Sequence, residues 1–451
     1  MDLHNSIILL VYLPNAVVLI VASILALQRK RIYGVLWGAL LIFHMLSIAQ
    51  SKSLLAEFGS GTLLLGQALM LLSNSLLFAT CFLFESYLLT SDVRFRGVRS
   101  WLTSPDPTKN RYLTMIVIVS IAVIGMQVRD GIERLTIGWE DARESASMLD
   151  SVAIFLSFIV FPSVWVAIRS KLYFPALLLG LIYLGIFQII GSRAILLTLL
   201  AAAYAELLLS KVSLRRKMVI IVLLGIVGTG MHTASRLTRG HGLFGMIDIV
   251  TSGDATVVID MLTDFDLSGG EANIYRYYNY VIDTSYDEYP YRAWVTVKRL
   301  ILLYCPTSWA PDIKPMDITY RLYSDAFADG IFNESAFFER LRITIEGEQA
   351  GSIHPTLWGD MYANGGLAGV VIYPVCLGFI LVLIERYIRK LSPAGIFLIV
   401  PLTIVGYIMV ARGNVVIGFG YLGYTIPMVI VLASISRLRL FNKKSRRSLA
   451  A

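Results

Sequence analysis

Charge is scarce in this chain. Asp, Glu, Lys and Arg together make up only 16% of its 451 residues, hydrophobic residues make up 56%, and mean hydropathy is +0.69. A water-soluble protein of this length cannot hide so much apolar side chain, so soluble architectures are excluded. Cysteine is rarer still. Cys81 and Cys376 fall inside apolar runs, which leaves Cys305 alone in a loop, and no intramolecular disulfide framework or zinc site can be assembled from that set. The opening MDLHNS has no basic residue, so the basic n-region of a cleaved signal peptide is missing. There is no internal repeat and no low-complexity tract, which counts against transporters built from inverted repeats.

What is present is a series of apolar runs, each long enough to cross about 30 Å of hydrocarbon with ~20 residues. By that length rule there are about eleven, near 6–27, 32–49, 62–90, 112–126, 149–168, 173–190, 194–209, 217–233, 365–384, 394–411 and 414–434. They lack the alternation of barrel strands, and in lipid each segment must satisfy its own backbone, so the expected fold is all-α and polytopic. The expected organisation is 1–233 as spans one to eight, 234–364 as one large loop, and 365–451 as the last three spans with a basic tail.

The basic residues set the orientation. QRKR follows the first run, DVRFRGVRSWLTSPDPTKNR the third, RSK the fifth, SKVSLRRK the seventh and ERYIRK the ninth, and RLRLFNKKSRR closes the chain. Short cytoplasmic loops collect Lys and Arg, so these alternating connections fall on the cytoplasmic face with the N-terminus outside. The 234–364 loop then lies outside the cytoplasm. It carries ten Lys and Arg against eighteen Asp and Glu, a net of −8, which leaves +16 for the rest of a chain whose total is +8. The basic balance reports membrane orientation, not nucleic-acid binding.

Against that bias, certain cations stand on the outer side. Arg193 in GSRA and Arg412 in ARGN each sit where two apolar runs meet with almost no loop between them. A guanidinium at the membrane boundary is able to hold a phosphate through two parallel hydrogen bonds, although a snorkelling Arg also anchors helix ends. In the large loop, Lys298 and Arg299 precede LILLYCPTSWAPDIKP (300–315), whose Pro306, Pro311 and Pro315 forbid a regular spanning helix, so the segment is expected to lie along or re-enter the membrane. Arg340 and Arg342 are candidates for sugar or phosphate, with a solvated face as the plainer reading.

The loop returns through SIHPTLWGDMYANGGLAG (352–369). His354 before a proline is held out of helix, Asp360 follows, and Asn364-Gly365-Gly366 is a tight turn into the next span. A boundary histidine suits proton transfer; a structural hydrogen bond is the commoner role for a lone one. Tyr277 and Tyr278, within the aromatic YRYYNYVIDTSYDEYPYRAW, are candidates to stack on sugar rings, and the alternative is a loop core with an interfacial belt. The Asp-x-Asp of TDFDLS (263–268) resembles a metal pair of nucleotide-sugar enzymes, but those donors are cytoplasmic and this loop is expected outside.

On GSRA, CPTSWAPDIKP, HPTLWGDMYANGGLAG and ARGN, in that order around one large loop over about 173–435, the chain resembles the O-antigen and enterobacterial-common-antigen polymerase family. The resemblance implies a fold similar to the membrane glycosyltransferases that include the O-antigen ligases (GT-C type), in the bacterial inner membrane with the site facing the periplasm. It implies metal-independent, inverting transfer of a glycan from undecaprenyl pyrophosphate to the sugar of another lipid-linked repeat unit. No cofactor is expected, and a chain-length-regulating co-polymerase is the protein partner it suggests. Arg193 and Arg412, supported by Lys298 and Arg299, would hold the pyrophosphate. His354 would serve as general base, with Asp360 and Glu346 in reserve.

Other classes predict different patterns. A ligase transferring glycan to lipid A core shares the architecture and differs in acceptor. A flippase predicts broken paired spans and midplane charges. A membrane acyltransferase predicts catalytic groups within the helical core, where His44 alone lies clearly mid-span. A scaffold leaves the outer arginines without a role.

Overall fold

A computed structural model describes residues 3–89, 113–114, 116–118, 120–122, 160, 163–164, 166–168, 170–190, 201–208, 213–223, 273–283, 294–303, 305, 355–390, 393–413, 415–416, 418–420 and 422–423. Among these residues the secondary structure is helical, with no strand. The principal helices are α1 (Leu3–Gln28), α2 (Gly34–Ala49), α3 (Ser51–Leu88), α4 (Tyr173–Ile190), α5 (Asn273–Asp283), α6 (Val295–Ile301), α7 (Thr356–Lys390) and α8 (Pro393–Ala411). The chain divides into two compact units. The first holds Met1–Asp92, Asp266–Tyr387 and Gly406–Gly420; the second holds Val93–Phe265, Ile388–Val405 and Tyr421–Ala451.

The exposed faces are those of membrane helices. In α1 the large apolar side chains Leu13, Val17, Ile20 and Val21 are exposed along one helical stripe, while the polar Asn15 is buried. α7 repeats the pattern, with Val371, Ile372, Val375, Phe379 and Leu383 outside and Asp360, Asn364 and Glu385 inside. A helix in water does the reverse. Among the described residues three helices, α1, α3 and α7, are long and apolar enough to cross a membrane. In the second unit, α4 occupies the run expected at 173–190 and likewise turns Tyr173, Phe174, Leu177 and Leu181 outward.

In the first unit α1 and α2 form a hairpin. α1 stops because Lys30 takes a left-handed conformation (φ 55°), and Lys30 and Arg31 return their amides to the carbonyls of Leu27 and Ala26 at 3.2 and 2.8 Å. That double return bond is the standard way to satisfy the last carbonyls of a helix. α2 runs back to Gln50, where α3 begins. α3 bends at Gly59 (φ 77°, ψ 171°), a conformation that glycine alone adopts readily, and continues as 60–88. The run expected to begin at 62 thus has a helical lead-in, Ser51 to the bend, joined to it through one glycine.

α7 is not one straight rod. Gly366 (φ 55°, ψ −137°) breaks it, and the two pieces fold against each other. The Tyr373 hydroxyl donates to Asp360 Oδ2 at 2.9 Å, across thirteen residues that would span roughly 20 Å in a continuous helix. A Cβ on Gly369 would fall 2.1 Å from the Met361 carbonyl oxygen, so only a glycine admits this reversal. Consequently 356–365 is a half-helix about 15 Å long, too short to cross hydrocarbon by itself, and 367–390 is the part of α7 long enough to span. The turn expected at Asn364-Gly365-Gly366 is present. The residues just ahead of it, expected as the end of the large loop, form this half-helix instead.

Candidate functional site

The half-helix 356–365 organises the polar interior of the first unit, and it is held from four sides. Its indole, Trp358 Nε1, donates to Asn74 Oδ1 at 2.8 Å, and Asn74 sits about midway between the Gly59 bend and the end of α3. Asn74 Nδ2 donates to Asn15 Oδ1 at 3.1 Å, and Asn15 Nδ2 donates to the carbonyl oxygen of Gln67 at 2.9 Å. These four side chains are all at most 5% exposed. Burying an amide without partners costs on the order of 1–3 kcal/mol, so a satisfied chain of amides amid apolar helices is a specific lock.

The second hold is on α6. Asn364 accepts from the Thr296 amide through Oδ1 at 2.7 Å and donates to Thr296 Oγ1 at 2.9 Å. Thr296 Oγ1 in turn donates to Asp360 Oδ1 at 3.0 Å. The Trp294 amide adds a bond to the Asn364 carbonyl at 2.8 Å, and the Trp294 ring packs so closely that a Cβ on Gly365 would lie 3.1 Å from it. The Tyr373 hydroxyl on Asp360 Oδ2 is the third hold. Asp360, expected in reserve as a base, therefore has both carboxylate oxygens engaged by hydroxyls and is 1% exposed. Its geometry is that of a cross-brace joining α6, the half-helix and the span.

The fourth hold is at the start of the half-helix. Thr356 sits in the left-handed region (φ 63°), unusual for a β-branched residue, and its hydroxyl accepts from the Gly359 amide at 3.4 Å. Gly413 (φ 94°) lies against it: a Cβ there would be 2.5 Å from the Thr356 carbonyl oxygen. The Arg412-Gly413 turn that ends α8 is therefore seated on the first residue of the half-helix, two positions from His354 in sequence. Lys298 and Arg299 stand in the last turn of α6, whose first turn is bonded to Asp360 and Asn364. Thr356 and Asp360 are four residues apart, one helical turn, so the element bearing Arg299 and the turn bearing Arg412 attach to the half-helix about 6 Å apart along its axis. Gly420 lies near the residues that follow α6, its Cβ position 3.6 Å from Leu303.

Of the residues singled out in the sequence, Arg412, Lys298, Arg299 and Asp360 thus belong to connected elements. Arg193, His354, Glu346, Arg340 and Arg342 lie outside the described residues. Tyr277 and Tyr278 need correcting. Both rings are buried, at 0% and 1% exposure, and the Tyr278 hydroxyl donates to the Gly66 carbonyl at 2.6 Å while its ring packs on Gly359. Tyr278 joins α5 to α3 and the half-helix, and neither buried ring presents a face on which a sugar could stack. Burial also pushes the Tyr278 phenol well above its ordinary range, so it donates as a neutral hydroxyl. His44, the mid-span histidine, is buried with Nε2 3.0 Å from the Tyr12 carbonyl, a structural placement.

Sequence reading missed Asn15, Gln67, Asn74, Thr296 and Trp358. Three of these carried a signal: an amide inside a spanning run is costly in lipid and faces a partner. Among the described residues no three His, Cys, Asp or Glu side chains converge as metal ligands. No protein-family model, no curated protein and no solved structure matches the chain.

Proposed function

We propose that this chain is a membrane glycosyltransferase that joins lipid-linked oligosaccharide repeat units, with undecaprenyl pyrophosphate as the leaving group and the periplasmic face of the bacterial inner membrane as its workplace. The hydroxyl of an acceptor sugar attacks the anomeric carbon of the donor glycan from the face opposite the phosphate. The new glycosidic C–O bond forms as the bond to the pyrophosphate oxygen breaks, and configuration inverts. The hydroxyl proton passes to a base, for which His354 is the candidate, and the negative charge leaves on the pyrophosphate. Fixed cations stabilise that charge best where water is excluded. Arg193 and Arg412 are assigned that task, with Lys298 and Arg299 in support.

The observation that carries the reading is the seating of the Arg412-Gly413 turn on Thr356, two positions after His354 in sequence, on a half-helix that also braces the element bearing Arg299. Cations drawn from two distant stretches of sequence and tied to one short helix are the kind of arrangement a diphosphate leaving group requires. The family resemblance in the motifs supplies the substrate class. An eleven-span topology of the O-antigen-ligase type and a chain-length-regulating partner belong to the same proposal.

The test is purified protein in liposomes, given a synthetic undecaprenyl-pyrophosphate repeat unit without added metal. A ladder spaced by one repeat is the expected product. Transfer that appears only when lipid A core is added would replace polymerase with ligase. Movement of intact lipid across the bilayer, with no new glycosidic bond, would replace both with a flippase.

A further inference from the structure

We infer that Asn74 is a positioning residue for the proposed reaction: through Trp358 it fixes how far the half-helix 356–365 reaches along α3, and thereby where the Arg412 turn seated on Thr356 stands. The inference rests on the polymerase reading for its role, and on the hydrogen-bond chain alone for its geometry.

The chain has only one self-consistent direction. Indole Nε1 can only donate, so the atom of Asn74 that it meets must be Oδ1, which turns Nδ2 toward Asn15. Asn15 then offers Oδ1 to Asn74 and points its own Nδ2 at the backbone carbonyl of Gln67, which can only accept. A donor-only group closes one end and an acceptor-only group closes the other, so no amide in between can be reversed without a buried mismatch. The neighbours of Trp358 in the half-helix, Leu357 and Gly359, have no side-chain donor to replace it. A shift of the half-helix by one residue would therefore leave Asn74 without its donor in a buried setting, and this penalty locks the register.

The lock matters because the first turn of the half-helix carries the seat of the Arg412 turn. Thr356 is left-handed and in contact with Gly413, so displacement there moves the Arg412 turn as well. The hydroxyls and Asn364 hold the opposite end. Asn74 acts at the side between these two, on the residue two positions after Thr356.

Asn74→Leu, Trp358→Phe and the double variant test this in the liposome assay, with melting temperature followed in parallel. A misplacement near 1 Å costs up to about a hundredfold in rate, so each single variant is expected to lower kcat by about ten- to a hundredfold with KM changed less than about twofold. The double variant should be no slower than the slower single, because both remove one bond. The inference is overturned if either variant keeps wild-type kcat per folded molecule, or if protein is merely lost on heating with kcat intact. Additive shifts in melting temperature would overturn the tether itself, by a readout that needs no activity. Absence of any ladder from the wild-type protein would instead withdraw the polymerase reading, and the melting cycle would still judge the tether.

Discussion

The first unit is held together differently at the two ends of α3. At the Leu88 end the fastening is ionic. Glu85 Oε1 accepts from Arg31 Nε at 2.9 Å and lies 3.4 Å from Arg29, while Glu85 Oε2 accepts from the Tyr33 hydroxyl at 2.5 Å. The Ile32 amide bonds to Glu385 of α7 at 2.8 Å, so the α1–α2 turn is clamped to both neighbouring helices. Arg29 also lies over the Phe82 ring, 4.7 Å from its centroid. Its backbone is ordinary, with one left-handed residue doing the routine work of ending a helix.

From the middle of α3 toward the Gly59 bend, the bonds that hold the half-helix are among neutral amides, hydroxyls and one indole, with the Asp360 carboxylate capped by two hydroxyls, while α5 is fastened to α3 separately by Thr62 on Asp283 and by the Arg276–Glu57 ion pair. The backbone there is strained. Trp294, Thr356, Gly366 and Gly413 all take positive φ, and two of them are not glycine. Strain of this kind persists only where surrounding contacts over-determine it, and it gathers at sites that work. An ion-pair clamp holds a turn still. A directional set of neutral bonds holds a short helix in one register.

That contrast can be broken from either side. Arg412→Ala should give the largest effect, a loss of polymer of at least about a hundredfold, with protein still recovered from the membrane fraction in normal amount. A normal long-chain product would remove Arg412 from the pyrophosphate. Glu85→Ala should do the opposite. It leaves two arginines without their carboxylate and should cost about 3–5 kcal/mol of stability, less the share of Arg29, which is 38% exposed and partly solvated. Yield and melting temperature would fall, and kcat per folded molecule would not; an equal fall in kcat would erase the distinction between the two ends.

A pair of matched glycine variants isolates the contact at the Arg412 turn. Gly413 and Gly59 both have positive φ, so an alanine at either costs roughly 1–2 kcal/mol in backbone strain. Only Gly413 also has Thr356 backbone atoms within 2.5–2.7 Å of the added methyl, whereas Gly59 has nothing within 4 Å. Gly413→Ala should therefore reduce polymer formation well beyond its effect on melting temperature. Gly59→Ala should shift melting temperature alone. Equal behaviour in the ladder assay would mean that the contact with Thr356 has no bearing on the site.

Much of this was legible in advance, and the residues say why. α1, α2, α4 and α8 stand where long apolar runs stood, since a stretch of about twenty apolar residues has one good conformation in lipid. Arg412 was noticed because a cation there is costly and so demands a reason. Asp360 stands out in the sequence as a candidate base, but its capping by Thr296 and Tyr373 involves partners 64 residues before and 13 after it, beyond any local reading. Tyr277 and Tyr278 read equally well as a sugar platform or as a core, and only burial decides between them.

By itself, then, the sequence determined the helical class, the membrane-like surfaces and the glycine at the Gly366 turn, because each follows from local hydropathy or local backbone freedom. Tertiary structure alone decided that 356–365 turns back as a half-helix, that Trp358 meets Asn74, and that Gly413 seats the Arg412 turn on Thr356. These pairings join residues 284 and 57 positions apart. Their physical basis is a register between packed helices, set by donor and acceptor matching that no local window of sequence contains.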